Sequence, residues 1–435
     1  MESVRTNRFV TSLNLNTHPL LKVKKKTRWS YFVALEYIVS SCAFDTEFTS
    51  ARLLQYRTTL IGEEKTLTIT GDNCDKTVKT IVDDFNNHIV FLCDVALILI
   101  DMSVVKKACG MLAKHLSEKK RKSLHDLLEV LYDNKTITSA FMVAEGLIKQ
   151  FRYNKEYMTK QVLRVMVTAN MSAGKSTLIN AIIGKPLTRT ALEACTANLC
   201  YLYNKPYDDN RVHLLASQLN LNATYGDLGG VSPDKIHYIA SYFMALTLPQ
   251  PRICLIDTPG VDSAINKSHG KLTRDAIISE NYNKLVYVLN ASNLGTDAEI
   301  KHMKFVYENV PCDKVVFVLN KLDCFKNSED SIASSIESVK GDLQKIGFEN
   351  PILCPLSAYF SLLLKMKQNN IELGEDDQDV YDGYKKKFNK PEYDLSAHYD
   401  KSHSREAISE NEMAKMCSIS GLYGLERILY GGTAK

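Results

Sequence analysis

The sequence predicts an α/β fold from residue 159 onward: a parallel-rich sheet flanked by helices, preceded by a mainly helical N-terminal region. Two observations predict it. After Gln161, short β-branched runs alternate with helical patterns, which calls for parallel strands joined by crossover helices. Before it, apolar residues recur at helical spacing, as with Leu124, Leu127, Leu128 and Leu131 on one face. A chain of 435 residues also has room for two or three domains.

Within residues 1–158, helices are expected over Ser30–Cys42, Asp75–Met102 and Thr138–Phe151, with a short strand at Thr66–Thr70. No motif in this region carries recognisable chemistry, so its role stays unassigned. In residues 159–368 the strand candidates are Val162–Thr168, Ala197–Tyr203, Arg252–Asp257, Leu285–Leu289, Lys314–Leu319 and Ile352–Leu356. Ser232-Pro233-Asp234 is a helix start with proline at the first helical position. Thr296 to Glu299 forms a capping box, which satisfies amide donors at a helix start. Residues 369–402 are polar, with Glu375-Asp376-Asp377 and Lys385-Lys386-Lys387, and read as a solvated insertion or loop. Residues 403–435 are expected to be C-terminal helices packing on the preceding domain, through Leu422, Leu425 and Leu429.

Composition narrows the function classes. Lys+Arg 54 against Asp+Glu 50 gives a net charge of +4, so no nucleic-acid partner is expected. Eleven cysteines lie scattered without a C-x-x-C pair, which argues against a zinc site or disulfide framework and for the reducing cytoplasm. His398 and His403 have no metal-type spacing. The start, Met1–Leu21, has no signal-peptide run. The longest apolar run, Ile89–Ile100, carries Asp94 and falls short of the ~20 residues a membrane crossing needs. Basic residues at Lys22, Lys24, Lys25, Lys26 and Arg28 beside Trp29, and at Lys119-Lys120-Arg121-Lys122, leave two readings open. One is peripheral contact with anionic lipid headgroups, the other solvated charge.

The chemistry sits at the ends of the expected strands. Ala169-Asn170-Met171-Ser172-Ala173-Gly174-Lys175-Ser176 matches the phosphate-binding loop G-x-x-x-x-G-K-[ST] except at its first position, where alanine replaces glycine. Amides in such a loop point at phosphates, and the helix opening with Lys175, Ser176 and Thr177 aims its positive end at the same charge. Lys175 is placed to reach the β- and γ-phosphates, and Ser176 to ligate Mg²⁺. Asp257-Thr258-Pro259-Gly260 offers a carboxylate that can hold a metal-bound water and an amide, that of Gly260, for the γ-phosphate.

Asn320-Lys321-Leu322-Asp323 follows the strand candidate Lys314–Leu319. The Asp323 carboxylate can accept both donors of the guanine edge, N1–H and the 2-amino group, which adenine lacks. Asn320 could address the O6/N7 edge, the Lys321 stem could cover the base, and Ser357-Ala358 could bring a backbone amide near O6. These four motifs, all at one edge of a parallel sheet, make a guanine-nucleotide site of the P-loop GTPase kind.

The motifs resemble those of the dynamin-like GTPases, particularly the bacterial branch. The loop runs on as Thr177-Leu178-Ile179-Asn180-Ala181, and Val286-Tyr287-Val288-Leu289-Asn290 leads to Gly295-Thr296-Asp297-Ala298-Glu299, both like segments of that family. The resemblance spans Lys160–Tyr430, about three-fifths of the chain. It implies that Thr196 is the switch threonine contacting Mg²⁺, with Thr188 and Thr190 as competitors. It implies that Ser172 helps bind a monovalent cation, K⁺ or Na⁺, which would neutralise transition-state charge.

The family also implies a homodimer through GTPase domains. Two departures stand out: Val261 where Ras-like enzymes have glutamine, and Met171 where many eukaryotic dynamins do. The long helical stalk usual in the family has no evident counterpart. Three readings follow: an enzyme hydrolysing GTP to GDP and phosphate; a slow or non-hydrolysing switch that controls a protein partner through the N-terminal helices; and an ATP-using P-loop protein.

Overall fold

The computed structural model describes residues 7–43, 46–62, 74–84, 87–187, 198–224, 227–228, 236–245, 252–260, 267–326, 331–400 and 412–431. The chain divides into two compact units, one of residues 1–160 with 205–223, the other of residues 161–204 with 224–435.

The first unit is built on the helix Asn87–Leu99, in which every residue from His88 to Leu99 is buried. A helix apolar on all sides belongs at a core centre, and here the helices Lys25–Cys42, Met102–Ala113, Glu118–Tyr132 and Glu145–Thr159 surround it. Its one carboxylate, Asp94, accepts from His18 Nε2 at 3.0 Å, Tyr31 Oη at 2.5 Å and Tyr56 Oη at 3.0 Å. Three donors thus offset the burial of a charge.

The single helix expected over Asp75–Met102 is instead Cys74–Asp83 and Asn87–Leu99, and a further helix starts at Met102. Asp101 caps that last start by accepting from the Ser103 and Val104 amides. A 3-10 turn, Ser139–Ala144, leads into Glu145–Thr159 where one helix is expected over Thr138–Phe151. The strand expected at Thr66–Thr70 lies outside the described residues. An unforeseen antiparallel hairpin, Val212–Leu215 with Leu219–Ala223, packs on the helix Thr46–Leu60, where Gln55 Nε2 donates to the Leu221 carbonyl at 2.6 Å.

The second unit holds strands β1 (Val162–Ala169), β2 (Cys200–Asn204), β3 (His237–Ser241), β4 (Arg252–Asp257), β5 (Lys284–Asn290), β6 (Val315–Asn320) and β7 (Ile352–Pro355). They lie in the order β3-β2-β4-β1-β5-β6-β7. From β4 to β7 all pairing is parallel, and the strands are nearly continuous buried apolar runs, as a sheet covered on both faces requires. β2 runs antiparallel to β4 and carries β3 parallel to itself, so the sheet is mixed, though mostly parallel. Register sets Val167 opposite Asp257, and Asn290 opposite Asn320. The loops leaving β1, β4 and β6 therefore emerge at one edge, the place where ligands bind in such sheets.

The helices are α1 (Lys175–Ile183), α2 (Lys267–Ser279), α3 (Asp297–Asn309), α4 (Ile332–Ile346), α5 (Ala358–Gln368), α6 (Glu375–Phe388), α7 (Glu412–Ile419) and α8 (Leu422–Tyr430). Thr296 caps α3 by accepting from the Glu299 amide, and Glu299 Oε2 reaches back to the Gly295 amide at 2.9 Å. The helix start at Ser232-Pro233-Asp234 lies outside the described residues.

Residues 369–402, read from the sequence as a solvated insertion or loop, contain helix α6 and are not a structureless loop. Its acidic first turn and basic last turn suit the helix dipole. Tyr381 and Phe388, seven residues apart, bury one face, and Phe388 stacks on Phe360 with centroids 4.9 Å apart. Two anchors in fourteen residues make a weak periodic signal, which is why the segment reads as solvated.

In α8, Leu422, Leu425 and Leu429 are buried as expected. Glu426 from the same helix meets Lys365 of α5 at 2.6 Å, both fully buried, while Lys365 also donates to the Ile182 carbonyl at 2.9 Å. Among the described residues no helix is long and apolar enough to cross a membrane.

Candidate nucleotide-binding site

The phosphate loop joins β1 to α1. Ala169 is still in the strand, buried and paired beside Val288, so its methyl group crowds no turn. The reversal comes later, at Ser172 (φ 62°) and Gly174 (φ 89°), both left-handed. A side chain at Gly174 would collide with the Asn320 amide nitrogen, so glycine is needed there for space as well as for backbone freedom.

Met171 is 57% exposed, Ala173 is buried, and Lys175, Ser176 and Thr177 form the first turn of α1. Asn170 Oδ1 is buried with no hydrogen-bond partner. An unpaired polar atom in this position is costly unless a bound group or ion completes it.

At the end of β4, Asp257 is buried and forms an ion pair with the Lys175 ammonium. Burial pushes the Asp257 carboxyl up, and Lys175 offsets only part of that rise. Thr258 Oγ1 donates to the Val167 carbonyl at 2.9 Å and Thr273 Oγ1 to the Pro259 carbonyl at 2.8 Å, which tether the loop to β1 and α2 and lead to Gly260. The sequence reading names Thr258 within its motif without a role and does not flag Thr273.

Ser176 and Asp257 are hard oxygen donors of the kind Mg²⁺ prefers. Among the described residues no group of three or more His, Cys, Asp or Glu side chains could hold an ion, so phosphate oxygens and water would have to complete such a site. Thr188, Thr190, Thr196 and Val261 lie outside the described residues.

The third loop follows β6. Asn320 is buried, and both ends of its amide are committed to protein: Nδ2 donates to the Ala173 carbonyl at 2.9 Å, and Oδ1 accepts from the Ala358 amide at 3.0 Å. It braces three loops together and keeps a second N–H and a second oxygen lone pair. Lys321 adopts a left-handed backbone (φ 68°) that opens the short turn Leu322–Cys324. The Ala358 amide is taken by Asn320, and that of Ser357 donates to the Ser420 carbonyl at 3.1 Å, so neither expected amide is spare. Ser357 instead contributes its hydroxyl, which donates to Asp323 Oδ1 at 2.6 Å and caps α5.

Two further residues converge on Asp323 from α6. Tyr384 Oη donates to Asp323 Oδ2 at 2.9 Å, and Lys387 Nζ donates to the Asp323 carbonyl at 2.6 Å. Nothing in the local pattern flags them, because they lie 61 and 64 residues downstream of their partner in a segment with little apolar content.

Comparison with known proteins agrees with this architecture. Residues 165–322 match the sequence profile of the dynamin family. Similar proteins include a probable transmembrane GTPase, FZO-like and chloroplastic, of Arabidopsis thaliana, 25% identical over 222 residues that cover 50% of this chain and 21% of that protein. An uncharacterised protein encoded in the xynA 3′ region of Caldicellulosiruptor sp. is 26% identical over 247 residues, 55% of this chain and 59% of its own. Dynamin-like protein A of Bacillus subtilis is 25% identical over 177 residues, 38% and 14% respectively. The matched regions thus span less than two thirds of each relative's length. With a phosphate loop, an aspartate loop and an Asn-Lys-x-Asp loop at one edge of a mostly parallel sheet, this chain is similar over residues 165–322 to the GTPases of the dynamin family.

Proposed function

We propose that the chain binds GTP and hydrolyses it to GDP and phosphate. The observation that carries this reading is the bracing of the phosphate loop by Asn320, three residues before a carboxylate, Asp323, that hydroxyl groups hold in place. Asp323 would accept from both donors of the guanine edge, and ATP could not satisfy it.

Lys175, the amides of 170–176 and the Gly260 amide would hold the β- and γ-phosphates and stabilise charge as water attacks in line. Mg²⁺, held by Ser176 and through water by Asp257, would neutralise phosphate charge. Thr196 would help place the attacking water, and Ser172 would help hold a monovalent cation. Two GTPase domains facing each other across the nucleotide would raise the rate.

Phosphate release from GTP, followed over a range of protein concentrations, tests this. The expected result is release that is specific for GTP, abolished in Lys175→Ala and steeper than linear in protein. ATP turnover equal to that of GTP would overturn the guanine assignment. One observation favours a second reading, a slowly hydrolysing switch: Met171, exposed on the phosphate loop, has no polar group to orient water. Tight GTP binding without release would select it.

A further inference from the structure

Asp323 is only 7% exposed, and the structure surrounds it with donors from two elements. A carboxylate has about four acceptor positions, two on each oxygen. Ser357 takes one on Oδ1 at 2.6 Å, and Tyr384 takes one on Oδ2 at 2.9 Å. The Cys324 thiol lies 3.6 Å from Oδ2, a weak donor that an N–H group would displace. One strong position is therefore left on each oxygen, the pattern that two adjacent N–H groups require.

Helix α6 is built to deliver that hydroxyl. Tyr384 and Lys387 are one turn apart on the same face. Lys387 Nζ clamps the carbonyls of Asp323 and Phe325, at 2.6 and 2.5 Å, and lies 4.6 Å over the Tyr393 ring. The helix is fixed to α5 by Phe388 stacked on Phe360, and by a hydrogen bond from Tyr359 to Asp377. The Tyr384 ring meets Phe360 edge-on at 5.8 Å. The position of Oη therefore follows from packing, and the carboxylate plane follows from Oη.

We infer that Tyr384 is a positioning residue for base selection: its hydroxyl fixes the Asp323 carboxylate in the plane that accepts two donors at once. This rests on the guanine-nucleotide reading and names what makes that reading selective. Without the hydroxyl, Oδ2 turns or hydrates, and a base with two donors loses its advantage over one with a single donor. Hypoxanthine, the base of inosine, is that single-donor base, since it lacks the 2-amino group.

The test is the ratio of GDP to inosine diphosphate affinity, measured by calorimetry on the full chain. Tyr384→Phe keeps the ring on Phe360 and is expected to lower the ratio about tenfold, mostly by weakening GDP, as loss of one hydrogen bond to a charged group implies. Tyr384→Leu, which gives up the ring as well, must lower it too. Gln378→Ala removes only an exposed hydrogen bond to Asp382 on the same helix and should leave the ratio unchanged. A ratio that stays at the wild-type value in Tyr384→Phe and Tyr384→Leu, or both nucleotides weakening equally, overturns the positioning role. A wild-type protein that binds neither diphosphate, or binds ADP as well as GDP, instead overturns the guanine reading itself.

Discussion

Asn320 Nδ2 and the carbonyl of Ala173, 2.9 Å apart, join the base-side loop to the phosphate loop across 147 residues of sequence. The same amide holds Ala358 through Oδ1. Removing it leaves a buried carbonyl and a buried N–H unpaired, at about 1–3 kcal/mol each. Asn320→Ala is expected to lower stability by roughly that much in urea unfolding, and to weaken pyrophosphate binding as well as GDP. A variant that loses only guanine affinity would contradict the bracing role.

His302 predicts a pH dependence. Its ring lies in α3 against β1, with Nε2 3.1 Å from Thr168 Oγ1 and Nδ1 buried without a partner. Burial, and secondarily the charge on Arg274, bring its pKa down from 6.5 to about 4. The unfolded chain takes up a proton near pH 6.5 while the folded one stays neutral, so stability is full above pH 7 and falls with acidification to about pH 4. The loss is on the order of 3 kcal/mol over that window. Thermal melts of wild type and His302→Gln from pH 7.5 to 4.5 should converge as pH drops; parallel curves would refute the assignment.

The buried pair Lys365–Glu426 predicts an asymmetry between single and double substitution. Glu426→Ala strands a buried ammonium and should cost about 3–5 kcal/mol. Replacing both by Met and Leu removes the charges together and should recover most of that loss. Chemical denaturation of the three proteins checks it; a double variant as unstable as the single would show that packing, not charge, is what matters there.

A fourth prediction concerns the phosphate loop. Gly174→Ala introduces a methyl group into the space of the Asn320 amide, at a backbone angle of +89°. It is expected to abolish nucleotide binding in a fluorescent GDP titration. Retained binding would mean that the loop can shift away from Asn320.

How much of this was legible in the sequence follows from the range of each signal. The strands β1, β4, β5 and β6 and the loops behind them were legible because a buried parallel strand is a continuous apolar run and the motif follows it directly. Contacts over long range were not. Asp94 interrupts an apolar run, but its partners His18, Tyr31 and Tyr56 stand 38 to 76 residues away. Tyr384 and Lys387 sit among charges with no local mark of their target. The hairpin strand Leu219–Ala223 alternates leucine with asparagine over four residues before ending in alanine, too short and too polar to stand out. Asn320 was singled out, but its bracing of the loops was not legible, since only the fold brings Ala173 and Ala358 to the two ends of its amide.

Lys365 carries one more consequence, for the nascent chain. The carbonyl of Ile182, in the last turn of the phosphate helix, is held by a lysine made much later, whose charge is met by a glutamate made later still. A growing polypeptide that has already displayed every nucleotide motif on the ribosome still lacks the counter-charge for that lysine. Co-translational capture of nucleotide should therefore begin only once residues 422–430 have emerged, and trimming the gene after the last motif would yield a chain with complete signatures and no stable pocket.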